Sequence, residues 1–271
     1  MAVHSMGRLQ MPEDYLTRQE ICVGLMPTTQ IAVDCISDWS SQFPSGSGLT
    51  GGNAALFEDQ RLVWALQRLG GVKGKRVLEL GPLEGGHTYM LEQAGAAKIT
   101  AIEANRRCFL KCLIVKEVLG LKRASFLLGD FQPWLEAATR QFDLIVAAGV
   151  LYHMTEPVKL LKMLGASTGR IYMYTHYIPD DLRKDEPWAS SIVGVEERDG
   201  IKHWIKSYGE MGASPVYCGG VYQTCAWLTK SDIFALLDEM GFSHIDCNID
   251  ERKHPNGPCI NFVASRTKLH A

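Results

Sequence analysis

The sequence has no Cys-x-x-Cys pair, no long run of like charge and no apolar stretch near the roughly 18 residues needed to cross a bilayer. Each absence removes a class of protein. The eight cysteines, at 22, 35, 108, 112, 218, 225, 247 and 259, show no compact metal-ligand spacing, so neither a zinc ribbon nor any other metal site is expected. Cys108-Phe109 and Cys259-Ile260 set thiols beside apolar residues, where free cysteine behaves as a small hydrophobe. A reducing cytoplasm is the expected compartment. A net charge of −2 gives no overall attraction to nucleic acid or to an anionic membrane. The N-terminus lacks the basic-then-apolar order of a signal peptide, and no RNA-binding module is recognisable. The glycine turn at 81–86 also departs from the Gly-x-Gly-x-x-Gly pattern that lays pyrophosphate against a helix start in dinucleotide-binding proteins.

What is present starts with 271 residues, 46% of them hydrophobic, enough for one large core or for one core with an appendage. The stretch Arg76-Val-Leu-Glu-Leu-Gly-Pro-Leu-Glu-Gly-Gly-His-Thr88 runs an apolar strand into a glycine turn that opens a helix. Glycine removes the side chain where backbone must approach a ligand, and the free N–H groups of a helix start offer donors. Gly81, Gly85 and Gly86 sit where such a turn needs them. A second apolar run, Lys98-Ile-Thr-Ala-Ile102, ends at Glu103, where a strand would put a carboxylate beside two ribose hydroxyls. A nicotinamide-dependent dehydrogenase is the rival reading. It is disfavoured by Leu83 and Glu84 in the turn and by Glu79 two residues before Gly81, because an acid there repels pyrophosphate and suits a cationic amino group.

The succession Val77-Leu-Glu-Leu-Gly81, Ile102-Glu103, Gly129-Asp130 and Phe142-Asp-Leu-Ile-Val146 resembles class I S-adenosylmethionine-dependent methyltransferases over roughly residues 55–265. Gly149-Val-Leu-Tyr-His-Met154 with Glu156-Pro157 resembles the branch that holds the tRNA wobble-uridine carboxymethyltransferases and many small-molecule methyltransferases. One departure is Leu83, where families with an acid-x-Gly-x-Gly-x-Gly turn carry the middle glycine.

Strands are expected near 76–80, 98–103, 124–128, 142–148 and 169–175, with helices near 85–95, 105–119, 132–139 and 156–165 between them. Apolar residues at helical spacing from Ala54 to Leu69 predict a helix over one face. A further helix is expected over Ser231 to Met240, and runs near 242–249 and 259–265 read as a closing hairpin. The fold class is α/β and Rossmann-like, a parallel sheet covered on both faces with ligands at the carboxyl ends of its strands. The resemblance implies a mostly parallel seven-stranded sheet with an antiparallel last strand.

Two segments lie outside this alternation. Residues 1–54 read as an N-terminal extension, with a capping box at Thr17-Arg-Gln-Glu20 and a short helix from Gln30 to Ser40. The resemblance implies that it packs over the cofactor, and a solvent-exposed extension is the alternative. The stretch 177–229 is a long insertion rich in large aromatics, Tyr177, Trp188, Trp204, Tyr208, Tyr217, Tyr222 and Trp227 among them. It reads as an ordered lid over the acceptor pocket, with a hairpin turning at Gly219-Gly220. Tyr177, Trp204, Tyr222 and Trp227 are its candidate substrate-binding residues, and an arm for homodimerisation is the alternative.

Residue by residue, the resemblance implies that the cofactor is S-adenosylmethionine. Glu79 takes its methionine amino group, Gly81, Pro82, Gly85 and His87 form the turn against it, and Glu103 with Ala104 binds the ribose. Asp130 and Phe131 meet the adenine, and Gly149 and Tyr152 border the sulfonium, where an aromatic face attracts a cation. A helix N-cap is the alternative reading of Asp130. An oxygen or nitrogen acceptor benefits from a general base, and His176 and His153 follow predicted strand ends, with His176 preferred at the root of the lid. The acceptor reads as a small or medium organic molecule. Transfer to tRNA is the alternative, with Arg106, Arg107, Lys111, Lys116, Lys122 and Arg123 as a candidate basic face. A cofactor-binding scaffold without turnover is the alternative of another class.

Overall fold

The structure is a computed structural model that describes residues 22–137, 140–182, 186–208 and 221–270. Its centre is a seven-stranded sheet made of β1 (Arg76–Leu80), β2 (Lys98–Glu103), β3 (Ala124–Leu128), β4 (Leu144–Ala148), β5 (Arg170–His176), β9 (His244–Glu251) and β10 (Cys259–Ser265). Their order is β3-β2-β1-β4-β5-β10-β9. The first five pair in parallel, and β10 is antiparallel to both β5 and β9. Apolar, β-branched-rich runs such as Leu144-Ile-Val146 suit strands buried on both faces, as a parallel sheet requires. The chain reverses its direction of travel across the sheet between β1 and β4, which opens a crevice at their carboxyl ends.

Helices α2 (Gln60–Arg68), α3 (Gly86–Gln93) and α4 (Arg106–Val118) follow the short α1 (Thr29–Asp34), and α5 (Phe131–Glu136), α6 (Pro157–Ser167) and α7 (Lys230–Glu239) complete the described set. Two apolar clusters flank the sheet. One unites Leu78, Ile145, Leu160, Leu164, Leu237 and Phe262, the other Leu62, Val77, Leu91, Val115, Tyr172 and Val263.

Element ends differ from the sequence expectation for local reasons. The helix expected from Gln30 to Ser40 stops at Asp34, and further on Asp38 takes a left-handed φ of 64° while the Trp39 indole donates to the Val33 carbonyl. The run from Ala54 breaks into a single 3-10 turn, Leu56–Glu58, before α2, because extended Asp59 N-caps α2 by accepting from the Arg61 amide. Val33, Phe43 and Phe57 join the cluster around Leu62, and the Ser40 and Ser41 amides donate to Glu84 in the glycine turn. The capping box at Thr17 and the hairpin turn at Gly219-Gly220 lie outside the described residues.

Within 177–229, β6 (Ile192–Arg198), β7 (Ile201–Ser207) and β8 (Thr224–Trp227) form a separate antiparallel sheet, with Trp204 opposite Trp227. Trp188, Cys225 and Trp227 bury a third apolar cluster against which Tyr152, Trp204 and Tyr208 pack. No described helix is long and apolar enough to cross a membrane.

Candidate functional site

Two cavities meet at the crevice. The first, of about 200 Å3, is walled by Glu103, Ala104, Asp130, Phe131, Tyr152 and His153, among others. The second, of about 160 Å3, is walled by Arg61, Glu79, Pro82, Gly86, His87 and Tyr174, among others. Gly81, Leu83, Ala148 and Gly149 line both, so the glycine turn after β1 and the end of β4 form the ridge between them.

The turn is built for close approach. Gly81 (φ 62°) and Gly85 (φ 81°) adopt left-handed backbone, and a Cβ at Gly81 would lie 3.1 Å from Val150. Leu83 holds a φ of 55°, so it keeps the backbone conformation of the glycine it replaces. Its amide donates to Glu103 at 3.0 Å, and the Asn105 amide donates to the other oxygen of the same carboxylate at 2.8 Å. Glu103 is buried. Burial pushes its carboxyl up to about 7, against the pull of the backbone donors and with a further push from Glu79. Glu79 is buried too, which raises its carboxyl, and the Thr88 hydroxyl donates to it. Asp130 does N-cap α5, accepting from the Gln132 amide with Oδ1, and it still lines the first cavity.

Beside the second cavity, buried Asp59 joins His87 and Arg61 in a cluster that sequence reading missed in part. His87 Nε2 lies 2.9 Å from Asp59 Oδ2, and Arg61 grips both oxygens of the same carboxylate, with a closest approach of 2.7 Å. Burial alone would raise the Asp59 carboxyl, but hydrogen bonds from His87 and Arg61 outweigh it and hold it well below the usual range. The Arg61 guanidinium also sits 4.7 Å above the Tyr174 ring. The one sequence signal for Arg61 was its place in the first turn of α2, next to a capping acid.

The histidines separate. His153 lines the first cavity, and its Nδ1 pairs with the Tyr208 hydroxyl from the insertion. Burial, aided by His176 and Lys206, lowers its imidazole to about 3. His176 is not among the described walls of either cavity. Its Nδ1 faces the Gly257 and Pro258 carbonyls at 2.8 and 3.2 Å, its ring stacks on Trp227 at 5.2 Å, and burial lowers it to about 4.

The four aromatics expected to touch substrate also lie off both cavities. Tyr177 is buried in the core and donates to Asp250, and Trp227 is buried with its indole donating to the Tyr152 carbonyl. Trp204 is half-buried on β7, and Tyr222 is exposed. Val221, their neighbour, is the insertion residue on the first cavity's wall. Of the candidate basic face only Lys111 is buried, while Arg106, Arg107, Lys122 and Arg123 are exposed. Lys111 is buried against Glu84 at 2.7 Å, Arg107 pairs with Asp38, and Lys116 and Arg123 donate to backbone carbonyls.

The residues present fit S-adenosylmethionine. A buried, partly hydrogen-bonded carboxylate at the end of β2 faces a cavity sized for a nucleoside, and a second cavity pairs an acid with a guanidinium, as the amino and carboxylate groups of a methionine end require. Residues 72–210 match the family model described as a methyltransferase domain. Among curated proteins, the tRNA U34 carboxymethyltransferase of Campylobacter hominis is 30% identical over 122 residues, 41% of this chain and 39% of its own length. That of Chromohalobacter salexigens is 30% identical over 177 residues, 58% of this chain and 52% of its own length. The chain thus spans about half or less of the length of the curated relatives it matches. Among solved structures, the N-terminal domain of EvdMO1 in the presence of SAH and D-fucose superposes with a TM-score of 0.65 at 24% identity, covering 93% of this chain and 98% of that one. With the glycine turn, the two strand-end acids and this sheet order in place, the chain belongs to the methyltransferase domain family, as a class I member whose cofactor is S-adenosylmethionine.

Proposed function

We propose that the protein transfers a methyl group to an oxygen or nitrogen of a small or medium organic acceptor held between Gly149–His153 and the 177–229 insertion. Bound S-adenosylmethionine supplies a methyl group already activated on a sulfonium, so the protein's contribution is mainly positioning. Glu103 accepts from the two ribose hydroxyls with the lone pairs its backbone donors leave free. Asp130 accepts from the adenine amino group with its second oxygen, and Phe131 lies against the ring. In the second cavity Glu79 faces the methionine ammonium and Arg61 its carboxylate, with His87 holding Asp59 and Arg61 in place. Tyr152 presents its ring near the sulfonium.

The observation that carries the acceptor reading is His153, which stands on the cavity wall beside Gly149 and Tyr152 and is tied by Nδ1 to Tyr208 of the insertion. With Nδ1 committed, Nε2 is the nitrogen left to take the acceptor's proton, and burial, which lowers the imidazole to about 3, keeps it neutral but only weakly basic at physiological pH. We place the base there rather than at His176. The insertion then acts as a lid that brings Tyr208 and Val221 to the site, while the segment before Ala54 braces the glycine turn through Glu84. The EvdMO1 domain, crystallised with SAH and D-fucose, supports an acceptor of modest size.

A second reading, tRNA modification, is favoured by the names of the curated relatives. It is opposed by the net charge of −2 and by the burial of Lys111 against Glu84. Calorimetric titration with S-adenosylmethionine, its demethylated product and a nicotinamide dinucleotide tests the cofactor half, and micromolar binding of the first two alone is expected. A labelled-methyl screen of small hydroxyl and amine acceptors tests the other half. His153→Ala should lower turnover by about 10²-fold or more with cofactor affinity kept. Unchanged turnover would remove His153 as the base, and salt-sensitive binding of single-stranded RNA would move the reading to tRNA. Cofactor binding with no turnover on either acceptor class would point to a scaffold.

A further inference from the structure

Where β5, β10 and the loop before β10 converge, the structure brings His176 together with two residues from far along the chain, His254 and Cys259. His176 ends β5, Cys259 opens β10 directly opposite it, and His254 sits in the intervening loop. One ligand atom from each, two ring nitrogens and the thiol sulfur, all lie within 4.8 Å of one another. We propose that His176, His254 and Cys259 form a binding site for a divalent transition metal ion, zinc by preference, with a fourth position left open.

The donor set fits that ion. Two imidazoles and one thiolate match the nitrogen and sulfur ligands of zinc, whose protein-ligand bonds of about 2.0–2.3 Å put ligand atoms roughly 3.3–3.8 Å apart. The cluster therefore closes by about 1.5 Å or less on metal binding. His254, half-buried on a turn, is the member free to supply that movement. Two of the ligands are already oriented. His176 Nδ1 faces the Gly257 and Pro258 carbonyls at 2.8 and 3.2 Å, so that nitrogen carries the proton and Nε2 has the free lone pair. A ligand imidazole that donates its other N–H to a backbone carbonyl is the usual support of a metal site. Cys259 exchanges a hydrogen bond with the Tyr174 hydroxyl, a second outer contact.

The loop is pinned from behind. A Cβ at Gly257 would come within 2.7 Å of the Trp227 ring, so only glycine lets the turn close on the indole. That indole stacks between Trp188 and His176, with interplanar angles of 19° and 12°. The Asn256 amide donates to His254 Nδ1 at 3.2 Å, the one interaction that metal binding through this ring exchanges or retunes.

Binding forms a metal–sulfur bond while the thiol proton leaves to solvent, with no change of oxidation state. Three protein ligands and one open position are the arrangement of a zinc that also polarises an oxygen. Tyr174 spans the distance to the methyl-transfer site, since its hydroxyl meets Cys259 while its ring lines the cavity of Arg61 and His87. This site does not depend on the methyl-transfer reading.

The test uses the full chain, stripped with a chelator and titrated with cobalt(II), whose thiolate charge-transfer absorption reports sulfur ligation. One equivalent should develop the band. Cys259→Ser should abolish it, His254→Asn should weaken cobalt affinity at least about ten-fold, and Cys247→Ser, on the exposed neighbouring strand, should leave it intact. His254→Asn lies on a turn and reports even where Cys259→Ser fails to fold. No band in the wild-type chain, a band that survives Cys259→Ser, or affinity unchanged in His254→Asn would each overturn the site. Parallel titration with S-adenosylmethionine keeps the two readings separate, since the metal-free chain is expected to bind it.

Discussion

The ends of β1 and β2 hold their carboxyls with hydrogen bonds from nearby chain, whereas the end of β5 and the insertion beside it pack ring against ring. Glu103 is fixed by amides of Leu83 and Asn105, and Glu79 by Thr88 nine residues on. All of these lie in one strand–helix–strand unit. On the other side, Trp227 stacks on His176 and on Trp188 while Tyr152 meets His176 and Trp227 edge-on, and these rings come from the end of β4, the end of β5 and two parts of the insertion. The first arrangement is complete once a short stretch of chain has folded, while the second exists only when distant segments have docked. Damage to the first should therefore appear in cofactor affinity, and damage to the second in stability.

Trp227→Ala is the most severe test. The side chain is 2% exposed, stacks on two neighbours and donates to the Tyr152 carbonyl. Its removal should cost about 3–5 kcal/mol of stability in denaturant unfolding, with the cofactor affinity of the remaining folded protein nearly unchanged. A loss of affinity as large as the loss of stability would mean that the two regions are one cooperative unit. Glu103→Ala is the converse. It removes a charge-assisted acceptor of two ribose hydroxyls, so cofactor affinity should fall at least about 100-fold by calorimetry, roughly 3 kcal/mol. The melting temperature of the free protein should hold or rise, because a buried carboxylate is gone.

The carboxyl of Glu103, raised to about 7, gives the same contrast a pH signature. Ribose hydroxyls need the ionised form, so affinity should fall about ten-fold per unit as pH drops below about 7 and level off above it. The sign for stability is opposite. A carboxyl whose folded pKa lies above its unfolded value contributes stability that is complete below the unfolded value and is lost as pH rises through about 7. The cofactor-free protein should therefore soften between pH 5 and 8 while its affinity for S-adenosylmethionine increases. Parallel trends in the two curves would mean that another group controls binding.

The same physical difference decided what the sequence revealed. The strand-end acids, the glycine turn and the β–α alternation are local patterns, and Glu79, Glu103, Asp130 and Gly149 lie on the walls of the two cavities. His153 was legible as a residue following a strand end. What was not legible depended on contacts between distant segments. Arg61 reaches the crevice because Asp59 caps α2 and binds His87, a residue 28 positions away. The aromatics of the insertion are numerous enough to announce an ordered element, yet composition could not say that Trp227 faces Trp188 and His176 rather than a substrate. Lys111 looked like part of a charged face until Glu84 folded against it, while Arg106 and Arg107 stay exposed on α4.

Leu83 gives the smallest and most local test. A leucine with a φ of 55° bears a steric cost of about 1–2 kcal/mol that glycine avoids, so the turn keeps a glycine conformation at a residue that resists it. What it gains is side-chain surface on the ridge between the two cavities. Comparing Leu83→Gly with Leu83→Ala separates these effects, because both remove the side chain and only one relieves the backbone. The glycine variant should be the more stable of the two by about 1 kcal/mol, and both should lose cofactor affinity modestly and equally. If alanine is as stable as glycine, the turn has relaxed out of the left-handed region. In that case the Leu83 amide no longer points at Glu103, and the alanine variant's affinity should drop towards that of Glu103→Ala.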